Sequence, residues 1–312
     1  MTDSNRPTTG APIPYSSLKR ARLWRASLQI LATLQQDFFR HWKKTAATLD
    51  ADEVHDLRVA SRRLREGLAL FSPLLPSRRR TRLSRMSKEV TRLLGELRNA
   101  DEAYLFFREL AAETTLTSRR ETDLLLRHLD AEREAHREKV AKELERFDVR
   151  TLRRGLRRLI ERPNPFKMRA ADPFAPWPPF AERALAERAA KVEALLPAAR
   201  RAEDAAARHR LRIAVKKLRY RLEIVAELAP DQGEAARLAL KGYQDLLGKL
   251  HDLDVFGELV RERVTDGAGR SELLQNIEGK KAAFFAAFTE MDRSRPLGEL
   301  AAGVREALRE AR

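Results

Sequence analysis

The chain has 312 residues, a formal net charge of +16 and no cysteine. Disulfides and thiolate metal sites are excluded, and a reducing, cytoplasmic setting is expected. Charged residues of both signs make up 35% of the sequence, which suits a soluble helical protein. The basic surplus calls for an acidic partner, such as nucleic acid, polyphosphate or an anionic membrane surface. No apolar run approaches the ~18 residues that span a bilayer, and the first residues lack the apolar core of a secretory signal. Residues 1–16 are expected to be a disordered tail.

Helical spacing of apolar residues begins at about residue 17 and continues to 48, with Leu23, Leu28, Leu31, Leu34, Phe38 and Trp42. Asp50 and Asp52 are candidate caps for a second helix that runs to about Phe71, where Pro73 and Pro76 stop it. A third helix is expected from Ser77 through the segment LLGELRNAD, and a short separate one over Glu102–Glu113. Helices over about 118–146 and 148–161 complete a first bundle, residues 17–161. Residues 162–180 contain six of the fourteen prolines and form a linker, which Phe174, Trp177 and Phe180 are expected to pin to the surface. Beyond it the helical order repeats over about 181–196, 202–228, 233–250, 252–264 and 271–291, with a last helix near 297–310. No strand-like alternation occurs. The expected fold is therefore all-α, two tandem bundles of about four main helices each, 17–161 and 181–312, made by internal duplication.

Two stretches carry the duplication. Residues 55–71 read HDLRVASRRLREGLALF and residues 209–225 read HRLRIAVKKLRYRLEIV. His55 aligns with His209, Arg58 with Arg212, Arg62 with Lys216, Arg63 with Lys217 and Arg65 with Arg219. At about 3.6 residues per turn, positions 55, 58, 62 and 65 share roughly a quarter of the helix circumference, opposite Leu57, Ala60, Leu64 and Leu68. Each copy thus has an apolar back and a cationic front. Neighbouring like charges cost about 0.2–0.5 kcal/mol per pair on an isolated helix, and no acid interrupts the front before Glu66 or Glu223. A front repeated in register at that cost points to two cationic stripes that receive a polyanion.

A second repeated motif lies downstream. LLGELRNADEAYLFFREL at 93–110 aligns with LLGKLHDLDVFGELVRER at 246–263, so Gly95 matches Gly248, Arg98 matches His251 and Asp101 matches Asp254. Lys88 and Lys241 each precede the glycine by seven residues. The glycines suit a close helix approach or a kink. Asn99 and Asp252 are candidate caps for a following short helix. Asp101 and Asp254 are candidates to orient a basic side chain by a charge-assisted hydrogen bond.

Together, H-x-L-R-V-A-x-R-R-L-R at 55–65, H-x-L-R-I-A-x-K-K-L-R-Y at 209–220 and the L-G-x-L-(R/H)-x-x-D segments resemble the CHAD family of conserved-histidine α-helical domains. The resemblance covers about residues 17–310. It implies an all-helical, internally duplicated fold around a basic central cavity that binds inorganic polyphosphate and can associate with polyphosphate granules. Some members follow a triphosphate-tunnel catalytic domain; this chain has no strands for one and looks like a standalone member, with no enzymatic activity and no cofactor.

The resemblance and the stripes together assign Arg58, Arg62, Arg65, Arg212, Lys216 and Arg219 as primary phosphate contacts. Arginine offers a bidentate fork and lysine a point charge. His55 and His209 form a next tier with Lys88 and Lys241, and Arg63 and Lys217 sit at the stripe edge. Arg98, Asp101, His251 and Asp254 are supporting residues. So is Tyr220, whose counterpart is Glu66, which implies that the halves contribute unequally.

Two other readings remain open at this point. His55-Asp56 and His251-Asp252 resemble the His-Asp pairs of metal-dependent phosphohydrolases, although the chain has only six histidines and the dipeptides do not correspond between the halves. Nucleic acid would bind weakly and salt-sensitively through charge alone, because the stripes carry no interleaved aromatics for base stacking. A granule scaffold that recruits protein partners is compatible with polyphosphate binding.

Overall fold

The structure, a computed structural model, describes residues 21–113, 116–161, 171–225, 230–265, 267–300 and 303. The expected N-terminal tail, the first half of the linker and most of the last expected helix lie outside these residues. Among the described residues the architecture is entirely helical: α1 Leu23–Thr48, α2 Ala51–Leu70, α3 Ser77–Glu113, α4 Leu116–Arg146, α5 Val149–Glu161, α6 Trp177–Ala199, α7 Ala205–Val225, α8 Pro230–Arg263 and α9 Ala268–Ser294. A 3₁₀ turn at Ser72–Leu74 follows α2.

Packing follows the duplication. Consecutive helices pack on one another from α1 through α4, and again from α6 through α9, giving two four-helix units. They meet where α2 crosses α7, where α4 packs on α9 and where α1 touches α6. α5 lies against α1 and α3.

Local sequence explains most boundaries. Asp50 caps α2 by accepting from the backbone N–H of Asp52 at 2.9 Å, and Asp204 caps α7 by accepting from Ala207 at 2.7 Å. The first free N–H groups of α1 are satisfied by the linker, with Leu23 donating to Ala175 and Trp24 to Pro173, both at 2.9 Å. Two expectations are corrected. Trp177 and Phe180 do not pin a linker to the surface; they open α6, where Pro178 and Pro179 fit the first turn because the missing N–H groups have no helical partner there. Trp177 is fully buried against Phe71, at 5.5 Å between ring centroids, and ties α2 to α6.

The second correction concerns the expected breaks at Asn99 and Asp252. α3 and α8 each run unbroken through those residues, so neither residue caps a helix. No proline interrupts the register, and Leu94, Leu97, Ala103 and Phe107 keep burying one face of α3 through the motif. Asn and Asp cap only where the preceding chain leaves the helix, and here it does not.

The main core runs through both halves, from Phe38 and Leu64 to Leu218 and Tyr243. A smaller core joins the C-terminal half of α3 to α4, α8 and α9 through Phe107, Leu129, Phe256 and Ile277. Phe106 stacks on Phe256 at 4.5 Å. A cavity of about 870 Å³ opens between the α2–α7 crossing and this smaller core, with α3 and α8 as its sides.

Candidate anion-binding site

The cavity collects the stripes. α2 contributes His55, Arg58 and Arg62, and α7 contributes Arg212 and Lys216. Their apolar backs explain why: Leu57, Leu64, Leu211, Val215 and Leu218 are fully buried, which fixes the cationic front toward the space between the halves. None of Arg58, Arg62, Arg212 and Lys216 forms an ion pair among the described residues. Arg58 Nη1 and Arg212 Nε are moreover buried donors without any hydrogen-bond partner there.

The repeated glycines seat these arginines. A Cβ on Gly95 would stand 2.7 Å from Arg58 Nη1, and one on Gly248 would stand 3.7 Å from Arg212 Nε. Each motif glycine is therefore the floor on which the opposing stripe arginine rests, in the same geometry in both halves but more tightly in the first.

The electrostatics are those of partly buried cations held close together. Burial, then Arg62 and Arg98, bring the Arg58 guanidinium down to about 10. Burial, then Arg62, Arg212 and Arg58, bring the Lys216 ammonium down to about 7. Burial followed by Arg212 and His209 lowers His251 to about 4. His55 and His209 are also lowered, first by burial and then by Arg98 and Arg212 respectively. The cations crowd one another, and Glu102 near Arg58 and Asp254 near His251 offset the crowding only in part.

The rest of the lining differs. Glu96, Glu102, Glu132, Asp245 and Asp252 also face the cavity. Most are already partnered: Glu102 with Arg98, Glu132 with Arg263 at 2.8 Å, and Glu96 with Lys139 at 2.7 Å. Asp252 rises to about 6 through burial and the neighbouring Glu102. The cavity is thus sorted into an unpaired cationic wall on α2 and α7, and a wall on α3, α4 and α8 of acids, the paired Arg98 and Arg263, and Lys249.

The other sequence-assigned residues are placed more variously. His209 does not line the cavity; its ring faces that of His251 at 4.4 Å between centroids, and His251 does line it. Arg219 is not a free contact, because its Nε donates to Gln244 and its Nη1 to Glu223 while the guanidinium covers the Tyr220 ring. Arg63 is held at 3.1 Å by Glu223. Arg65 and Lys217 are outside the cavity lining, and Lys88 and Lys241 are exposed and outside it too. Arg65 and Arg219 lie one turn beyond Arg62 and Lys216, where the lining of α2 and α7 ends, and Lys88 and Lys241 belong to α3 and α8. Tyr220 is buried and close enough to Arg58 to affect its charge.

The supporting aspartates do hold basic side chains. Asp101 accepts from Arg133 of α4 at 3.0 Å, and Asp254 pairs with Lys281 of α9 at 2.7 Å. Sequence reasoning missed Lys249, Arg263 and His136, and the acids Glu102, Asp252 and Glu132. Lys249, Glu102, Asp252 and Arg263 were visible inside the repeated segments 93–110 and 246–263, whereas Glu132 and His136 reach the cavity only through the packing of α4 on α3. Among the described residues the side chains with metal-ligand geometry are His41, Glu53 and Asp56, with ligand atoms within 4.8 Å of one another and Lys44 bound to Glu53 at 2.9 Å. That group includes neither His55 nor His209.

A model of the CHAD domain matches residues 29–261. The chain belongs to the CHAD family. The structure of the CHAD domain from the plant Ricinus communis is similar over 94% of this chain and 96% of that one, with a TM-score of 0.58 and 23% identity. PptA from Streptomyces chartreusis is similar over 93% of this chain and 99% of that one, with a TM-score of 0.63 and 16% identity. At those identities the likeness is one of fold. No curated protein matches. In this CHAD protein the two family motifs meet in space: the histidine-arginine stripe of each half rests on the glycine of its own L-G-x-L segment. No described helix is long and apolar enough to cross a membrane.

Proposed function

We propose that this CHAD protein is a non-catalytic receptor for inorganic polyphosphate, which enters the central cavity and lies along the α2–α7 wall. One observation carries the reading: four unpaired cations from two helices share one wall, and two of them keep buried donors unsatisfied. A buried donor without a partner costs about 1–3 kcal/mol, so such donors favour a ligand that completes them. Repeated tetrahedral phosphates supply closely spaced acceptors, and polyphosphate has no bases for the protein to read. The acids opposite would confine the chain to the cationic wall. Contact with phosphate would also raise the lowered Lys216 and histidine pKa values, so that binding takes up protons.

The test is titration with long-chain polyphosphate at roughly 0.15 M salt, where exposed charges are screened beyond about 8 Å, with RNA as competitor. Tight binding that RNA does not displace at equal phosphate concentration supports the reading. Equal affinity for every polyanion overturns it in favour of a general nucleic-acid surface.

A further inference from the structure

The cavity does not account for the charge of the chain. Its lining holds seven lysines and arginines against five carboxylates. Residues 77–85 and 148–161, by contrast, hold ten arginines against Asp148 and Glu161, half of the formal surplus of +16. These two segments are the start of α3 and the whole of α5, and the fold places them side by side. Gly155 makes this possible, because a Cβ there would come within 2.6 Å of Leu83.

α5 buries Leu152, Leu156 and Leu159 and turns Arg150, Arg153, Arg154, Arg157 and Arg158 outward, all exposed. Arg157 pairs with Glu161 at 3.2 Å. Arg150, Arg153, Arg154 and Arg158 have no ion pair among the described residues. Arg153 covers the Phe39 ring at 4.4 Å, so that ring is not free for a base.

We infer that the α5 face, flanked by the arginines that open α3, is a second docking surface for long-chain polyphosphate, separate from the cavity and engaged by another segment of the same chain. The inference rests on the polyphosphate reading of the cavity. Arginine forks match phosphate oxygens, and among the described residues the α5 face shows no exposed ring for base stacking, which favours polyphosphate over single-stranded nucleic acid. The second contact is intramolecular once the cavity is filled, so it acts only on chains long enough to reach both places. Selectivity for long chains follows from that geometry, with the cavity itself unchanged.

The experiment compares the full chain with R150Q/R154Q/R157Q/R158Q and, separately, with R58A/R62A/R212A/K216A, using tripolyphosphate, long-chain polyphosphate and single-stranded RNA as probes. The four substituted α5 side chains are exposed, and circular dichroism checks the fold. The α5 variant should lose at least about tenfold in long-chain affinity while its tripolyphosphate affinity is unchanged. Unchanged long-chain affinity overturns the inference. So does an equal loss for both phosphate probes, which would mean a general field effect, and so does a loss confined to RNA. If the cavity variant binds long chains as the full chain does while the α5 variant does not, the cavity reading fails and the surface survives as a primary site.

Discussion

The α2–α7 wall and the α5 face are both rows of cations on amphipathic helices, yet they sit in opposite electrical settings. On the wall a few charges are half-buried and crowd one another, enough to bring Lys216 down to about 7. On α5 the arginines stand in water. Count therefore says little about strength. A desolvated donor with no partner binds an anion firmly, whereas a hydrated one contributes a salt-screened attraction that matters only in number.

Replacing Arg58, Arg62, Arg212 and Lys216 with alanine should produce the largest effect. Charge-assisted hydrogen bonds contribute about 1.5–3 kcal/mol each, so affinity should fall by at least about a thousandfold by calorimetry even with imperfect additivity. The melting temperature should hold or rise, because the substitution relieves repulsion among unpaired cations. A marked fall would assign the wall a structural role.

The pH dependence should separate the two surfaces next. In the empty cavity Lys216 is only partly charged above pH 7, and Arg58, Arg62 and Arg212 resist its protonation. A bound polyanion raises that pKa, so short-chain affinity should fall as pH rises from 7 to 9, by up to about tenfold per unit for one coupled proton. Below pH 7 Lys216 is already protonated and adds no slope. Asp252 loses its charge as pH falls through about 6, which should strengthen binding further there. K216M should flatten the upper limb. Contacts made by the α5 arginines should show no such slope, only a steeper loss with salt.

A smaller effect probes the glycine floors. G95A presses on Arg58 at 2.7 Å, whereas G248A finds Arg212 at ordinary contact distance, 3.7 Å away. The first should weaken short-chain binding by about tenfold, as expected for one misplaced charge-assisted bond, and the second by less than about twofold. Equal losses would show that the halves are used symmetrically. The smallest change is expected for K88A and K241A, exposed and outside the cavity, at under about twofold in short-chain affinity.

How much of this was legible depended on distance along the chain. The stripes were readable because a helix puts residues three and four apart on one side whatever surrounds it, and the duplication fixed which positions corresponded. Asp50 as a cap and the pairing of Asp101 and Asp254 with basic side chains followed from the same local chemistry. Arg219 looked identical to Arg65 and Arg62 in sequence, but Gln244 and Glu223, from α8 and the next turn of α7, had already engaged it. The caps expected at Asn99 and Asp252 failed because a capping residue is defined by the chain leaving the helix, which residue type alone does not dictate.

The sequence by itself determined that the chain is helical, duplicated and cationic on one face of α2 and of α7. Periodicity, composition and repeat are properties of short segments. Only the tertiary structure decided which cations remain unpaired, that Gly95 and Gly248 lie beneath Arg58 and Arg212, and that acids from α3, α4 and α8 close the opposite wall. It also decided that half of the charge surplus gathers around α5, away from the cavity. Desolvation and pairing are set by neighbours remote in sequence, and they turn a charge into a site.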